Sequence, residues 1–235
     1  MKVEYNKMKV EFELIRSRRK SISITMKYDG GIIVRCPLRM KNDDVIKFIQ
    51  SKSEWIMIKQ QEIKEMQKAK VERTLENGSS LMFLGKEYPL EIIINELYKK
   101  TNITKTEDKI IITVDIYDKE KIKEELKKWY KVQCINVVTE RIALYQKYFR
   151  DSPKEIKVKE QKSRWASCTY DNRILFNWRC VMADINAVDY IVVHEMCHFE
   201  YKNHSKEFWN SVENIMPDYK IRKQWLKVNG IRMEF

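Results

Sequence analysis

All three histidines of this 235-residue chain lie within residues 192–209, which read VVHEMCHFEYKNHSKEFW. His194, Glu195 and His198 form the pattern H-E-x-x-H. On an α-helix, residues four positions apart lie one turn along the axis and only about 40° apart around it. Both imidazoles can therefore bind the same metal ion, and the two valines before them would hold the helix in a hydrophobic core. The spacing indicates metal-dependent hydrolysis.

His204 is the predicted third ligand. It lies six positions after His198, so on a continuous helix it would point to another face, about 240° away. We expect the helix to end between them at Asn203, which tolerates a left-handed conformation, and Ser205 to cap a new helix. Three histidines with an open fourth position are typical of catalytic zinc, because structural zinc sites usually have four protein ligands. Glu213 is the alternative third ligand, since some zinc peptidases use a glutamate from another helix.

Glu195 would lie beside the metal without binding it. Bound zinc lowers the pKa of water toward ~7, and a nearby carboxylate can accept the proton as the water attacks a carbonyl carbon. The same acid can pass the proton to the leaving amine. The sequence therefore predicts one zinc ion per chain, with Glu195 as general base. The alternative is three ordinary polar side chains on amphipathic helices, but unpaired polar groups among apolar neighbours are costly.

Three residues near the predicted site have two interpretations each. Asp189 either orients a ligand histidine through a hydrogen bond or, as we favour, interacts with the dipole at the start of its helix. Cys197 as a fourth ligand would close the site, but its direction on the helix favours a small buried side chain. Cys168 lines either the site or the core.

The elements that position these residues follow from the hydrophobic pattern. A helix that begins after Asp184 carries H-E-x-x-H, and helices over about 206–215 and 217–228 follow it. Strands cover EIKVKE and RILFNW. The first of them would expose Lys157 and Lys159 beside the predicted site, where a strand can hold an extended peptide.

The rest of the chain completes an α+β protein. The predicted elements are strands at 10–15 and 21–26, the strand IIVRC, a helix over about 44–70 broken near Ser53, and the strands MFLGKEYPLEIII and KIIITVD. A new unit begins at Asp118, which can cap a long helix. We therefore predict an N-terminal β-rich region over residues 1–117 and a zinc metallopeptidase domain over residues 118–235. No internal repeat is evident.

The formal net charge is +12, from 46 lysines and arginines against 34 acidic residues. Because the lysines are scattered, background composition is favoured, and a polyanion such as nucleic acid is the alternative partner. The apolar runs are shorter than a membrane span, and the N-terminus lacks a signal-peptide pattern. Five cysteines without metal-type spacing favour reduced thiols. We expect a cytoplasmic protein that does not enter membranes.

Several motifs together resemble the YgjP-like metallopeptidase family, relatives of the SprT-like zinc proteases. The chain reads RWASC, LFNWR, VDYIVVHEMCH, NHSKEFW and PDY in order, and SRRKSISI and SEWI extend the resemblance over most of the chain. It implies that His194, His198 and His204 bind zinc, that Glu195 is catalytic, and that a small gluzincin-like unit follows a β-rich region. The chain departs from the family pattern at three positions that are not ligands: Ala166, Phe176 and Val188.

The predicted function is zinc-dependent hydrolysis of protein or peptide substrates. Two alternatives belong to other classes. One is a nucleic-acid-associated module that acts on DNA- or RNA-bound proteins or whose metal is mainly structural. The other is a metal-dependent hydrolase of a non-peptide substrate such as a nucleoside triphosphate, although no phosphate-binding glycine loop supports it. Glu195 favours hydrolysis over a purely structural metal.

Overall fold

The computed structural model describes residues 2–5, 8–27, 30–68, 74–161, 164–233 and 235. The chain forms two compact units, residues 1–70 and 71–235. Each unit contains a mixed sheet of strands that are adjacent in the chain, followed by helices, which confirms the α+β prediction. The sequence analysis placed the start of the metallopeptidase domain at residue 118. That boundary between functional regions stays a prediction. None of the helices in the described ranges combines the length and hydrophobicity needed to cross a lipid bilayer.

The first unit is a four-stranded sheet followed by two helices. Its elements are β1 (Lys2–Tyr5), β2 (Met8–Ser17), β3 (Ser23–Met26), β4 (Ile32–Pro37), α1 (Asn42–Ser51) and α2 (Ser53–Lys68). Alternate residues of β4, such as Val34 and Cys36, are buried and pack with Val45 and Ile49 of α1. The interruption between the helices at Lys52 confirms the predicted break near Ser53.

The second unit begins with a sheet of the same topology. Its strands are β5 (Ser80–Phe83), β6 (Lys86–Ile94), β7 (Asn102–Lys105) and β8 (Ile110–Val114). The strand orders β1-β2-β4-β3 and β5-β6-β8-β7 correspond, and in both the pairs are antiparallel, parallel and antiparallel. The expectation of no internal repeat was therefore wrong at the level of topology. Many apolar residues fit the same pleated positions, so such a repeat leaves little trace in sequence.

The remaining elements build the part of the second unit that carries the histidines. They are α3 (Lys119–Tyr145), β9 (Glu155–Lys159), β10 (Ala166–Cys168), β11 (Arg173–Asn177), α4 (Ile185–Cys197), α5 (Lys206–Ile215) and α6 (Tyr219–Asn229). The three strands form a sheet in the order β10-β11-β9. As predicted, the side chains of Asp118 and Asp184 accept hydrogen bonds from backbone N–H groups at the starts of α3 and α4.

The turn between β5 and β6 fixes the start of α4. The N–H groups of Leu84 and Gly85 donate to the carbonyls of Val181 and Met182, at 2.8 and 3.1 Å. Gly85 has φ +79°, and a Cβ placed there would lie 2.8 Å from the Cα of Asp184. Only glycine fits this approach without strain. The β5–β6 hairpin therefore sets where α4 begins.

A buried carboxylate holds the middle of α4. Asp189 is 4% exposed and accepts hydrogen bonds from Nη2 of Arg141 (2.9 Å), from Nε of the same residue, and from the hydroxyl of Tyr145 (3.0 Å). Arg222 of α6 lies 3.8 Å away. Both sequence interpretations of Asp189 were wrong, because it lies beyond the first turn of α4 and its hydrogen-bond partners lie on α3. The carboxylate joins α3, α4 and α6.

Replacement of Asp189 by asparagine should destabilise the second unit by about 3 kcal/mol, because the Arg141 guanidinium would lose its charged partner in a largely buried place. The matched control is Asp218→Asn. Asp218 pairs with Arg222 at 2.9 Å but is half exposed, so its loss should cost less than about 1 kcal/mol. Urea unfolding followed by tryptophan fluorescence gives both values. If the two variants lose equally small amounts of unfolding free energy, this role for Asp189 is contradicted.

Candidate metal centre

Helix α4 carries His194 and His198 at its C-terminal end. Val192 and Val193 are fully buried, so this turn of the helix is embedded in the hydrophobic core. His198 is the C-cap residue, and its Nδ1 lies 2.8 Å from the carbonyl oxygen of Tyr201. A carbonyl only accepts, so Nδ1–H of His198 donates and the lone pair of Nε2 is left for a ligand.

The chain between α4 and α5 turns His204 back toward the other two histidines. The helix ends at Cys197, whose carbonyl accepts from the N–H of Tyr201 at 3.0 Å. Asn203 does not adopt the expected left-handed conformation. The helix has already ended before it, and its Oδ1 instead accepts from the N–H of Ser205 at 3.1 Å. Ser205 caps α5 through the N–H of Phe208, as predicted.

The three histidines meet at one point. One ring nitrogen of each lies within 4.8 Å of those of the other two, and Nε2 of His194 lies 3.0 Å from Nε2 of His204. Phe208 is fully buried beneath them, with ring centroids 4.9, 4.6 and 4.8 Å from those of His194, His198 and His204. The contact of Phe208 with all three rings is visible only in three dimensions.

The surroundings favour the neutral form of His194 and His204, which is the form that binds metals. Burial lowers the pKa of His194 to about 3, and the neighbouring histidines add to the effect. Burial also lowers the pKa of His204. Nδ1 of His194 is buried without a hydrogen-bond partner in the described part of the chain. Three converging imidazoles suit a divalent metal such as zinc, so the residues present fit the group that the sequence predicts.

Glu195 lies beside the histidines and is 6% exposed. Burial raises the pKa of its carboxyl to about 7, while a hydrogen bond from the backbone N–H of Cys168 and the charge of Arg164 oppose the rise. A carboxyl group with a pKa near neutrality can exchange protons in both directions. It is not part of the cluster of converging nitrogens.

A cleft of about 600 Å³ opens over the histidines and Glu195. The strand along it is β10, not β9 as expected, since Lys157 and Lys159 do not line it. Lys157 instead forms an ion pair with Glu155 at 2.8 Å. Besides the histidines and Glu195, the residues that line the cleft are Arg164, Trp165, Ala166, Ser167, Cys168, Thr169, Tyr170, Tyr190, Ile191, Lys202 and Leu226.

The other candidate ligands lie elsewhere. Cys197 is buried with its sulfur 3.6 Å from the hydroxyl of Ser211, which confirms the interpretation as a small buried side chain. Glu213 forms an ion pair with Lys220 at 3.1 Å and is outside the histidine cluster. Cys168 lines the cleft.

Tyr190 was missed in the sequence, although its position four residues before His194 places it on the same face of the helix. Its ring centroid is 5.7 Å from that of His194, and it lines the cleft. Helical spacing was the signal that could have identified it. Arg164 and Lys202 gave no such signal, because neither lies in a helix or a strand.

Comparison with known proteins agrees with this geometry. No curated protein sequence matches the chain. The family model described as YgjP-like, metallopeptidase domain, matches residues 20–229. That range includes all of β10, α4 and α5 and therefore the three histidines and Glu195. The chain belongs to the YgjP-like metallopeptidase family.

Proposed function

We propose that the protein is a zinc-dependent peptidase that hydrolyses peptide bonds in the cleft over α4. The observation that carries the proposal is the convergence of three histidine nitrogens within 4.8 Å of one another beside a buried glutamate. Membership of a metallopeptidase family supports it. His194, His198 and His204 would hold the metal, and a zinc ion there supplies Lewis-acid chemistry that polarises a carbonyl and acidifies water.

Glu195 moves the proton. Its carboxylate accepts a proton from the attacking water and, once protonated, donates it to the nitrogen of the leaving amine. Burial raises its pKa to about 7, so neither transfer is strongly uphill near neutral pH. The hydrogen bond from the backbone N–H of Cys168 fixes the direction of the carboxylate.

Strand β10 would hold the substrate. It is an edge strand, paired only with β11 in its sheet. The N–H of Thr169 donates to the carbonyl of Arg173, and the N–H of Asn177 donates to the carbonyl of Trp165. The backbone N–H and C=O groups of successive residues point to opposite sides of an antiparallel strand. The groups of Ala166 and Cys168 therefore point away from β11. This direction agrees with the hydrogen bond from the N–H of Cys168 to Glu195. An extended peptide can pair with this edge.

A nucleic-acid partner and a cytoplasmic location stay predictions from the sequence. The cleft itself needs no nucleic acid to bind a peptide.

The variant His204→Ala should lose zinc affinity by on the order of 100-fold or more, because one of three converging donors is removed. Glu213→Gln is the matched control, since it tests the alternative ligand and should retain zinc. Metal content after dialysis against a zinc buffer measures both. Undiminished affinity in His204→Ala, or loss in Glu213→Gln, would show that the third ligand is assigned wrongly.

The variant Glu195→Gln should keep the fold and its zinc but lose about 10²–10⁴-fold in kcat on an unstructured protein substrate, because an amide cannot act as a base. Glu200→Gln makes the same change at an exposed position five residues later and should retain activity. Near-normal turnover by zinc-loaded Glu195→Gln is the result that would exclude Glu195 as the base.

A further inference from the structure

Positive charges surround the cleft. Arg164 and Lys202 line it, and Glu195 is the only acidic side chain among the described residues that do so. Lys223 of α6 approaches from another side, with its Nζ 4.4 Å from the centroid of the Trp209 ring. That ring stacks on His204, with centroids 5.6 Å apart and an interplanar angle of 24°. A substrate in the cleft therefore meets Arg164 and Lys202 from two separate segments of the chain, while Lys223 lies behind His204 and Trp209.

Two of these cations stand at opposite ends of β10. Arg164 precedes the first residue of the strand by two positions. Lys202 lies at the other end, where its Nζ donates to Oδ1 of Asn172 at 2.6 Å and lies 5.4 Å from the ring of Tyr170, both in the turn after β10. Because Cys168 holds Glu195 at this strand, a peptide paired with β10 would place residues on both sides of its scissile bond near a cation.

The charges are available to a ligand. Neighbouring cations of α6 are paired, Lys220 with Glu213 and Arg222 with Asp218. By contrast, the described ranges of the chain contain no carboxylate that forms an ion pair with Arg164, Lys202 or Lys223.

We infer that the cleft selects peptides with aspartate or glutamate on both sides of the scissile bond, through Arg164 and Lys202 at the two ends of β10. The inference rests on the proposed peptidase function and names its substrate class. Opposite charges attract a substrate and orient it, whereas a lysine-rich peptide is repelled by the same groups. Lys223 strengthens the preference without touching the strand.

The test uses three peptides of one sequence, with glutamate, glutamine or lysine at the positions that flank the scissile bond. The zinc-loaded full chain should cleave the glutamate peptide with the highest kcat/KM and the lysine peptide with the lowest. Arg164→Gln and Lys202→Gln should each reduce the ratio of glutamate to glutamine peptide by about fivefold, because each removes one charge near the substrate. Lys202→Glu should shift the preference toward lysine on one side of the bond.

Lys99→Gln is the matched control. Lys99 is exposed in the turn between β6 and β7 and does not line the cleft, so this variant changes net charge without changing the preference. Peptide binding to Glu195→Gln gives a second measurement that does not need turnover. Affinity for the glutamate peptide should exceed that for the glutamine peptide and should fall as salt is raised.

Equal cleavage of the three peptides by wild type would overturn the inference and leave the peptidase function standing. If the zinc-loaded chain cleaves none of the three peptides and does not cleave an unstructured protein, the proposed function is overturned. Hydrolysis of a nucleoside triphosphate in its place, reduced by Lys202→Gln, would show that the cations serve phosphate groups and would overturn both.

Discussion

The candidate site of the second unit depends on the convergence of three imidazole nitrogens, from the C-terminal end of α4 and from the segment between α4 and α5. Such donors bind a metal only when neutral, and burial lowers the pKa of His194 to about 3. Phe208 contacts all three rings and excludes water from beneath them. Burial also raises the pKa of Glu195, so one apolar environment favours a neutral His194 and a carboxyl group that titrates near neutrality.

This convergence requires that α4 be held at several points along its length. Gly85 of the β5–β6 turn packs against its first residues, Asp189 joins its middle to α3 and α6, and Val193 embeds its last turns in the core. A shift of about 1 Å in any of these contacts would move the histidines relative to His204 and change the site. The sheet of β5–β8 therefore contributes to the site although none of its residues lines the cleft.

Local features of the site could be predicted from sequence, because they depend on neighbours along the chain. The spacing of His194 and His198 and the caps at Asp184 and Ser205 are of this kind. The pairing of Asp189 with Arg141 joins residues 48 positions apart, and no periodicity encodes it. Strand β10 has only three residues, too few for an alternating pattern, so β9 was taken for the strand beside the site.

The most direct measurement of the metal centre is anomalous X-ray diffraction at the zinc absorption edge from crystals of the zinc-loaded chain. The account predicts a single peak per chain, about 2.0–2.1 Å from one ring nitrogen of each of His194, His198 and His204, with no protein side chain in the fourth position. A peak that lacks His204 among its ligands, or one in which Glu195 or Cys197 binds the metal, would contradict it.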